Sequence, residues 1–114
     1  MSNQHDQDRD RIAEANAQAK KRFAADRHRI ADAMQELGKW PSSPNPLVRL
    51  EIAVMAFETL CEPKGWKWAR YPSGQWAATH LGQESAFVPP TRNHAADVCR
   101  LVCMVLDREA SDAK

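Results

Sequence analysis

The chain has 114 residues, which is the length of one ordinary domain. Charged residues make up 27% of it and the net charge is +1, so no overall charge excess draws it to nucleic acid or to a membrane. No stretch reaches the roughly 18 apolar residues of a membrane span, and the first residues lack the apolar segment of a signal peptide. We therefore expect a cytoplasmic protein that binds no membrane.

Residues 6–38 are predicted to form one long helix, since they contain no proline and their first glycine is Gly38, at the end. At about 1.5 Å per residue this helix spans roughly 50 Å, which exceeds the body of a small domain. Its apolar positions are few, and Asn16 and Asp26 interrupt a coiled-coil heptad. We expect part of it to pack on the rest of the chain and part to fray or to pair with a second copy in a homodimer. Residues 1–40 are accordingly predicted to be a helical arm.

The middle of the predicted helix is rich in basic residues, in the segment KKRFAADRHR at 20–29. Lys20 and Arg27 share a stripe at helical spacing, where they could bind phosphate groups. The alternative is an ordinary solvated helix face. We take five residues of this segment as candidate partner-binding residues: Lys20, Lys21, Arg22, Arg27 and Arg29.

The segment WPSSPNP, residues 40–46, has three prolines and is predicted to be a linker. Trp40 either covers the core or projects as a contact residue, and it is a further candidate for partner binding. A second helix is predicted over residues 46–61, with Asn45 as its N-cap and Pro46 at its first position. Apolar residues occupy nearly every side of this helix, so we expect it to be the most buried element of a compact core over residues 45–110.

After Gly65 the pattern alternates, and WKWARY, QWAATHL and SAFV are predicted to be three strands. Pro72 and Gly74 suit a tight turn that pairs Trp66 with His80 and Arg70 with Trp76. Because side chains alternate across a strand, this register puts all three tryptophans of the hairpin on one face, which we expect to be the core side. The alternative is an exposed surface on which nucleic-acid bases stack. The hairpin tryptophans are Trp66, Trp68 and Trp76.

The opposite face of the hairpin carries Lys67 and Tyr71, which we take as candidates for contact with a partner. A third helix is predicted over residues 91–110, followed by a flexible tail at 111–114. Its apolar positions predict a buried face, and its charged positions predict an outward face with Asp97, Arg100, Asp107 and Arg108. The predicted fold class is α+β: a long N-terminal helix, a buried second helix, and a small three-stranded antiparallel sheet packed on a C-terminal helix.

The segments YPSGQWAATH, SAFV and HAADVCRLV resemble the hairpin, third strand and supporting helix of AP2-type and phage-integrase arm-type DNA-binding domains. The resemblance covers about residues 66–106 and implies a three-stranded sheet backed by a helix. Those domains read DNA with several arginines on the exposed sheet face. Here the matching face carries Lys67 and Tyr71 among alanine, glutamine and threonine, so the resemblance implies a topology rather than DNA reading.

The cysteines are expected to be buried apolar residues rather than metal ligands. Cys99 and Cys103 are four residues apart on one predicted helix, whereas structural zinc sites use closely spaced pairs in turns and need four ligands. No glycine-rich phosphate loop or Ser/His/Asp set is visible, so we expect no cofactor, no metal and no enzymatic activity.

The sequence therefore favours a small accessory or inhibitor-type protein that binds another protein and self-associates through its long helix. Its alanine- and arginine-rich composition is of the kind found in small accessory proteins of phages and mobile elements. The alternative is a nucleic-acid-binding protein that uses the basic stripe of the first helix and the exposed sheet face.

Overall fold

The computed structural model describes residues 3–112, with side chains from residue 9 onward. The elements are three helices and three strands, with a short 3-10 turn at Asn45–Val48 and another at Glu62–Lys64. In chain order they are α1 (Asn3–Glu36), α2 (Leu50–Leu60), β1 (Trp66–Arg70), β2 (Trp76–His80), β3 (Gln83–Val88) and α3 (His94–Asp112). The α+β fold class is confirmed.

The strands form one antiparallel sheet in the order β1-β2-β3. β1 and β2 pair in the predicted register, with Trp66 opposite His80 and Arg70 opposite Trp76. Gly74 has φ +88°, a left-handed conformation that few other residues adopt at low cost, and Tyr71 closes the turn by donating its N–H to the Gln75 carbonyl. The predicted hairpin is confirmed.

The inner face of the sheet packs on α3. Trp66 and Trp76 are buried there, and their indole N–H groups donate to Glu109 Oε1 (2.6 Å) and His94 Nδ1 (3.3 Å) on α3. Each indole thus buries its ring and satisfies its one polar atom. Trp68 lies on the same face, with its ring 5.3 Å from that of Trp76, but 38% of it is exposed. The core-side prediction is therefore confirmed for two of the three tryptophans.

α3 is the central element, because it packs against α1, α2 and two strands of the sheet. α2 buries only one side, through Ala53, Ala56, Phe57 and Leu60. The prediction of a single helix over 46–61 was wrong, because Arg49 is extended (φ −95°, ψ 134°) and divides that segment. Asn45 is not the N-cap that the sequence predicts, because it is the first residue of the 3-10 turn and Pro44 holds the N-cap position.

α1 is buried only in its second half. Ile30, Ala31 and Met34 belong to the hydrophobic core, whereas residues 9–22 are exposed throughout. Gly38 follows the end of α1 with a left-handed conformation (φ +65°), and the Lys39 N–H donates a hydrogen bond to the Met34 carbonyl at 2.9 Å. The predicted arm therefore projects only by its first half.

The C-terminal helix runs further than predicted, since Ser111 and Asp112 belong to α3, and residues 113–114 of the expected tail lie outside the described residues. None of the helices within 3–112 combines the length and the apolar character needed to cross a membrane.

Candidate functional site

An open groove separates the projecting half of α1 from the connection between β3 and α3. Its volume is about 530 Å³, and most of its surface is apolar. We call it the α1–α3 groove. Its apolar lining consists of Ala15, Ala19 and Phe23 from α1, Val88 and Pro89 from the end of β3, and Ala96 from α3.

The α1 side of the groove is an apolar stripe that continues out of the core. Because successive helical residues are about 100° apart around the axis, Ile12, Ala19 and Phe23 fall near one line with the core residue Ile30. Ile30 is covered by the rest of the molecule, whereas Ile12 is 62% exposed. The projecting half of α1 thus presents the same face that packs in the core, without anything in residues 9–112 to cover it.

Basic side chains follow this stripe on both sides. Arg9 and Lys20, eleven positions apart, lie within about 20° of each other on one side of it, and Arg11 and Arg22 repeat the spacing on the other. All four are exposed. Among the described residues, neither Lys20 nor Arg22 forms an ion pair.

The opposite wall adds two more arginines. Arg92, in the loop before α3, is exposed, and Arg100, on α3, is half-buried. Arg100 Nη1 lies 3.4 Å from Asp26 Oδ1. A guanidinium group has five N–H donors, so this single contact within residues 9–112 leaves Arg100 able to bind a further carboxylate or phosphate.

Two buried carboxylates, Asp26 and Asp97, also line the groove. Burial raises the pKa of Asp26 above its usual value, and the nearby guanidinium of Arg100 only partly opposes this. Asp97 is almost fully buried and accepts hydrogen bonds from the Thr91 hydroxyl (2.7 Å) and the Thr91 N–H (3.1 Å). The expectation that Asp97 points outward was wrong, because its carboxylate ties the loop before α3 to the helix.

Lys20 and Arg27 lie within about 20° of each other around α1, and the other three basic residues predicted on this helix lie elsewhere around it. Arg29 pairs with Asp107 on α3 at 2.7 Å, and the guanidinium of Arg27 lies over the Phe23 ring at 4.5 Å from its centroid. Lys20 and Arg22 line the groove, while Lys21 lies on the far side of the helix. Two of the five predicted residues, Lys20 and Arg22, thus line the groove, and two others, Arg27 and Arg29, contact side chains of the same molecule.

The remaining predicted contact residues lie apart from the groove. Trp40 is 58% exposed beyond the end of α1. Lys67 and Tyr71 lie on the outer face of the sheet, where the Tyr71 hydroxyl donates to Glu84 Oε2 at 2.8 Å, which raises the pKa of the phenol. Phe87 is the large apolar residue of that face. These residues do not form one site with those of α1.

The three cysteines are free and buried, as expected from their apolar surroundings. Burial raises the pKa of each thiol to about 12, so all three are neutral near pH 7 and are poor nucleophiles and poor metal ligands. No cluster of three or more potential metal ligands occurs within the described range.

Sequence reasoning missed the α3 wall of the groove, namely Arg92, Arg100 and the apolar residues at the end of β3. No sequence pattern marks them, because they meet α1 only through the docking of α1 on α3. The two basic rows on α1 could have been predicted from the sequence, because Arg9 and Lys20, like Arg11 and Arg22, are eleven residues apart.

Comparisons with protein-family models, curated proteins and solved structures gave no match to the chain.

Proposed function

We propose that this protein is a small non-enzymatic protein that binds a partner protein in the α1–α3 groove. The observation that carries the proposal is a surface groove of about 530 Å³ whose lining is mainly apolar and whose edges are basic. Grooves of this kind accept the apolar face of a partner segment, and uncovered apolar surface on a small protein marks an interaction site.

The chemistry of the groove supports binding rather than catalysis. Both carboxylates in its lining are engaged, Asp26 with Arg100 and Asp97 with Thr91. The thiol groups are buried and neutral, so none of the three cysteines supplies an activated nucleophile.

Site-specific photo-cross-linking tests this proposal. A photoreactive amino acid at position 19 lies in the groove, and the same group at position 17 lies on the far side of α1, where it serves as the matched control. Both alanines are exposed, so neither change disturbs the core. We expect a discrete cross-linked partner protein from position 19 in cells of the source organism and none from position 17. The same products from both positions, or none from either, would contradict the proposal.

Self-association through α1, which the sequence led us to expect, has no observation in its favour, and the charges beside the stripe oppose it. A second copy placed on the apolar stripe would bring its own Arg9, Lys20, Arg11 and Arg22 against the same residues. Like charges flank the stripe on both sides, so this repulsion arises in a parallel and in an antiparallel arrangement alike.

Nucleic-acid binding is the second candidate function. It is favoured by the exposed cations Lys20, Lys21 and Arg22. Against it, the groove lining is apolar, and Lys67 is the only basic residue on the outer face of the described sheet. A mobility shift of duplex or single-stranded oligonucleotides at low salt, with an affinity that falls steeply as salt is added, is the result that would support it.

A further inference from the structure

We infer that the occupant of the α1–α3 groove is an acidic amphipathic helix of another protein, with apolar residues toward the groove and carboxylates along both flanks. This inference rests on the proposed function and specifies the partner. Two observations support this inference: the apolar stripe of α1 and the basic rows beside that stripe.

The shape of the site fits a helix. The stripe runs along the projecting half of α1, from Ile12 through Ala15 and Ala19 to Phe23, and the far wall is formed by Val88, Pro89 and Ala96. Alanines along α1 let a second helix approach closely, and their small side chains leave the volume for the larger apolar residues of the partner. A helix presents such residues at i, i+3, i+4 and i+7.

The charges of the site specify an acidic partner. Arg9 and Lys20 lie on one side of the stripe and Arg11 and Arg22 on the other. The facing wall adds two further cations, Arg92 and Arg100. The two acidic residues of α1 between 9 and 22 lie on the far side of the helix, away from the stripe: Asp10 and Glu14. A helix seated in the groove therefore has cations along both of its flanks, and carboxylates there are attracted from either side.

The same charge pattern separates this occupant from its competitors. A second copy of the chain would bring basic rows against basic rows, and a nucleic acid would use the cations but leave the apolar lining without a partner. An acidic amphipathic helix uses both features of the groove.

A displayed library of random peptides of about 16 residues, roughly four helical turns, provides the probe. The full chain is the bait, and peptides that also bind a variant with Ala19→Gln, whose longer neutral side chain narrows the groove, are discarded. We expect the enriched peptides to be net negative, with apolar residues at helical spacing. Enrichment of neutral or basic sequences, of sequences without helical spacing, or of none at all would overturn the inference.

Two adjacent charge reversals then test the site. Arg22→Glu changes a groove residue, and Lys21→Glu makes the same charge change one position away on the far side of α1. Both side chains are exposed, so both variants are expected to fold, which circular dichroism checks. For a labelled enriched peptide we expect Arg22→Glu to weaken binding by about five- to tenfold and Lys21→Glu by less than about twofold. Equal effects of the two reversals would overturn the inference.

Further readouts identify a wrong occupant. Replacing each glutamate and aspartate of the peptide by glutamine should weaken binding, and replacing its apolar residues by serine should abolish it. An oligonucleotide that binds with the same dependence on Arg22 and displaces the peptide would overturn the inference in favour of nucleic acid. A cross-linked partner from position 19 without selection of acidic peptides would leave the proposed function intact and refute this inference alone.

Discussion

At the scale of single residues, two carboxylates of this protein have pKa values shifted in opposite directions, one by burial and one by an ion pair. Asp26 is buried, and its burial raises its pKa above the usual value of 3.8 despite Arg100 nearby. Asp107 is exposed, and the hydrogen bond from Arg29 lowers its pKa below the same value. The two carboxylates therefore couple to pH in opposite directions.

We predict that Asp26→Asn and Asp107→Asn change the pH dependence of stability in opposite senses. A raised pKa in the folded state means that the contribution of Asp26 is fully present below pH 3.8 and is lost as the pH rises through the folded pKa. The wild type should therefore lose stability relative to Asp26→Asn as the pH rises. The contribution of Asp107 is present above pH 3.8 and is lost as the pH falls, so the wild type should lose stability relative to Asp107→Asn on acidification.

Urea unfolding of the three proteins between about pH 3 and about pH 7 measures these differences. Parallel curves for wild type and Asp26→Asn would show that the carboxyl is not perturbed by burial. The exposed Asp107 provides the matched control at neutral pH, since a surface ion pair contributes little to stability.

At the scale of the elements, α1 is one continuous helix with two different environments. Its apolar spacing runs from Ile12 to Met34, yet only the second half of the helix is covered by α3 and the rest of the core. Helical stability in proteins comes mainly from packing of an apolar face. The same apolar residue should therefore contribute more to the free energy of unfolding in the covered half of α1 than in the projecting half.

Isoleucines in the two halves of α1 allow a matched comparison. Ile30→Ala removes a side chain from the core, and we expect it to lower the free energy of unfolding by about 2–5 kcal/mol. Ile12→Ala removes the same atoms from an exposed position, and we expect a change within about 0.5 kcal/mol. Urea unfolding of both variants measures the difference. A large loss with Ile12→Ala would mean that something covers the projecting half of α1 in the free protein.

Element boundaries show where local signals are reliable. The turn at Pro72–Gly74 and the β1–β2 register followed from the sequence, because a tight turn with a left-handed glycine admits few pairings. The start of α2 did not follow. The Asn45-Pro46 pair is a good local start signal, but the chain uses it for a single 3-10 turn and becomes extended at Arg49 before α2 begins.

At the scale of the whole molecule, α1 makes the protein elongated, with extents of 57 × 30 × 30 Å. The radius of gyration of the Cα atoms is 15.9 Å, compared with about 13 Å expected for a compact domain of this length. The excess comes from the projecting half of α1, so solution scattering can report whether that half is free or covered.

We predict that the isolated protein is a monomer with a radius of gyration close to 16 Å, because the like-charged rows beside the stripe oppose pairing of two copies. Small-angle X-ray scattering combined with light scattering at micromolar concentration measures both quantities. Repeating the measurement with added salt tests the cause, since salt screens exposed charges over about 10 Å at 0.1 M. A doubled mass at low salt that Ile12→Ala abolishes would establish a homodimer through the stripe and refute the acidic partner in the groove.

The sequence by itself determined the α+β fold class and the faces of the hairpin. Periodicity distinguishes helix from strand, and the alternation of side chains sorts Trp66 and Trp76 from Lys67 and Tyr71 once the turn is known. It also determined that the cysteines are buried, since each lies in an apolar helical context.

Tertiary structure alone decided which surfaces remain open. The docking of α1 on α3 places Arg22 in the same groove as Arg92 and Arg100, although 70 or more residues separate them in the chain, and no local pattern encodes that meeting. The loop before α3 folds back on the helix and buries Asp97 against Thr91, although helical periodicity alone places Asp97 on the outer face. Local propensity acts within a few residues, whereas a groove between two elements depends on how distant faces pack, and the candidate site of this protein lies in such a groove.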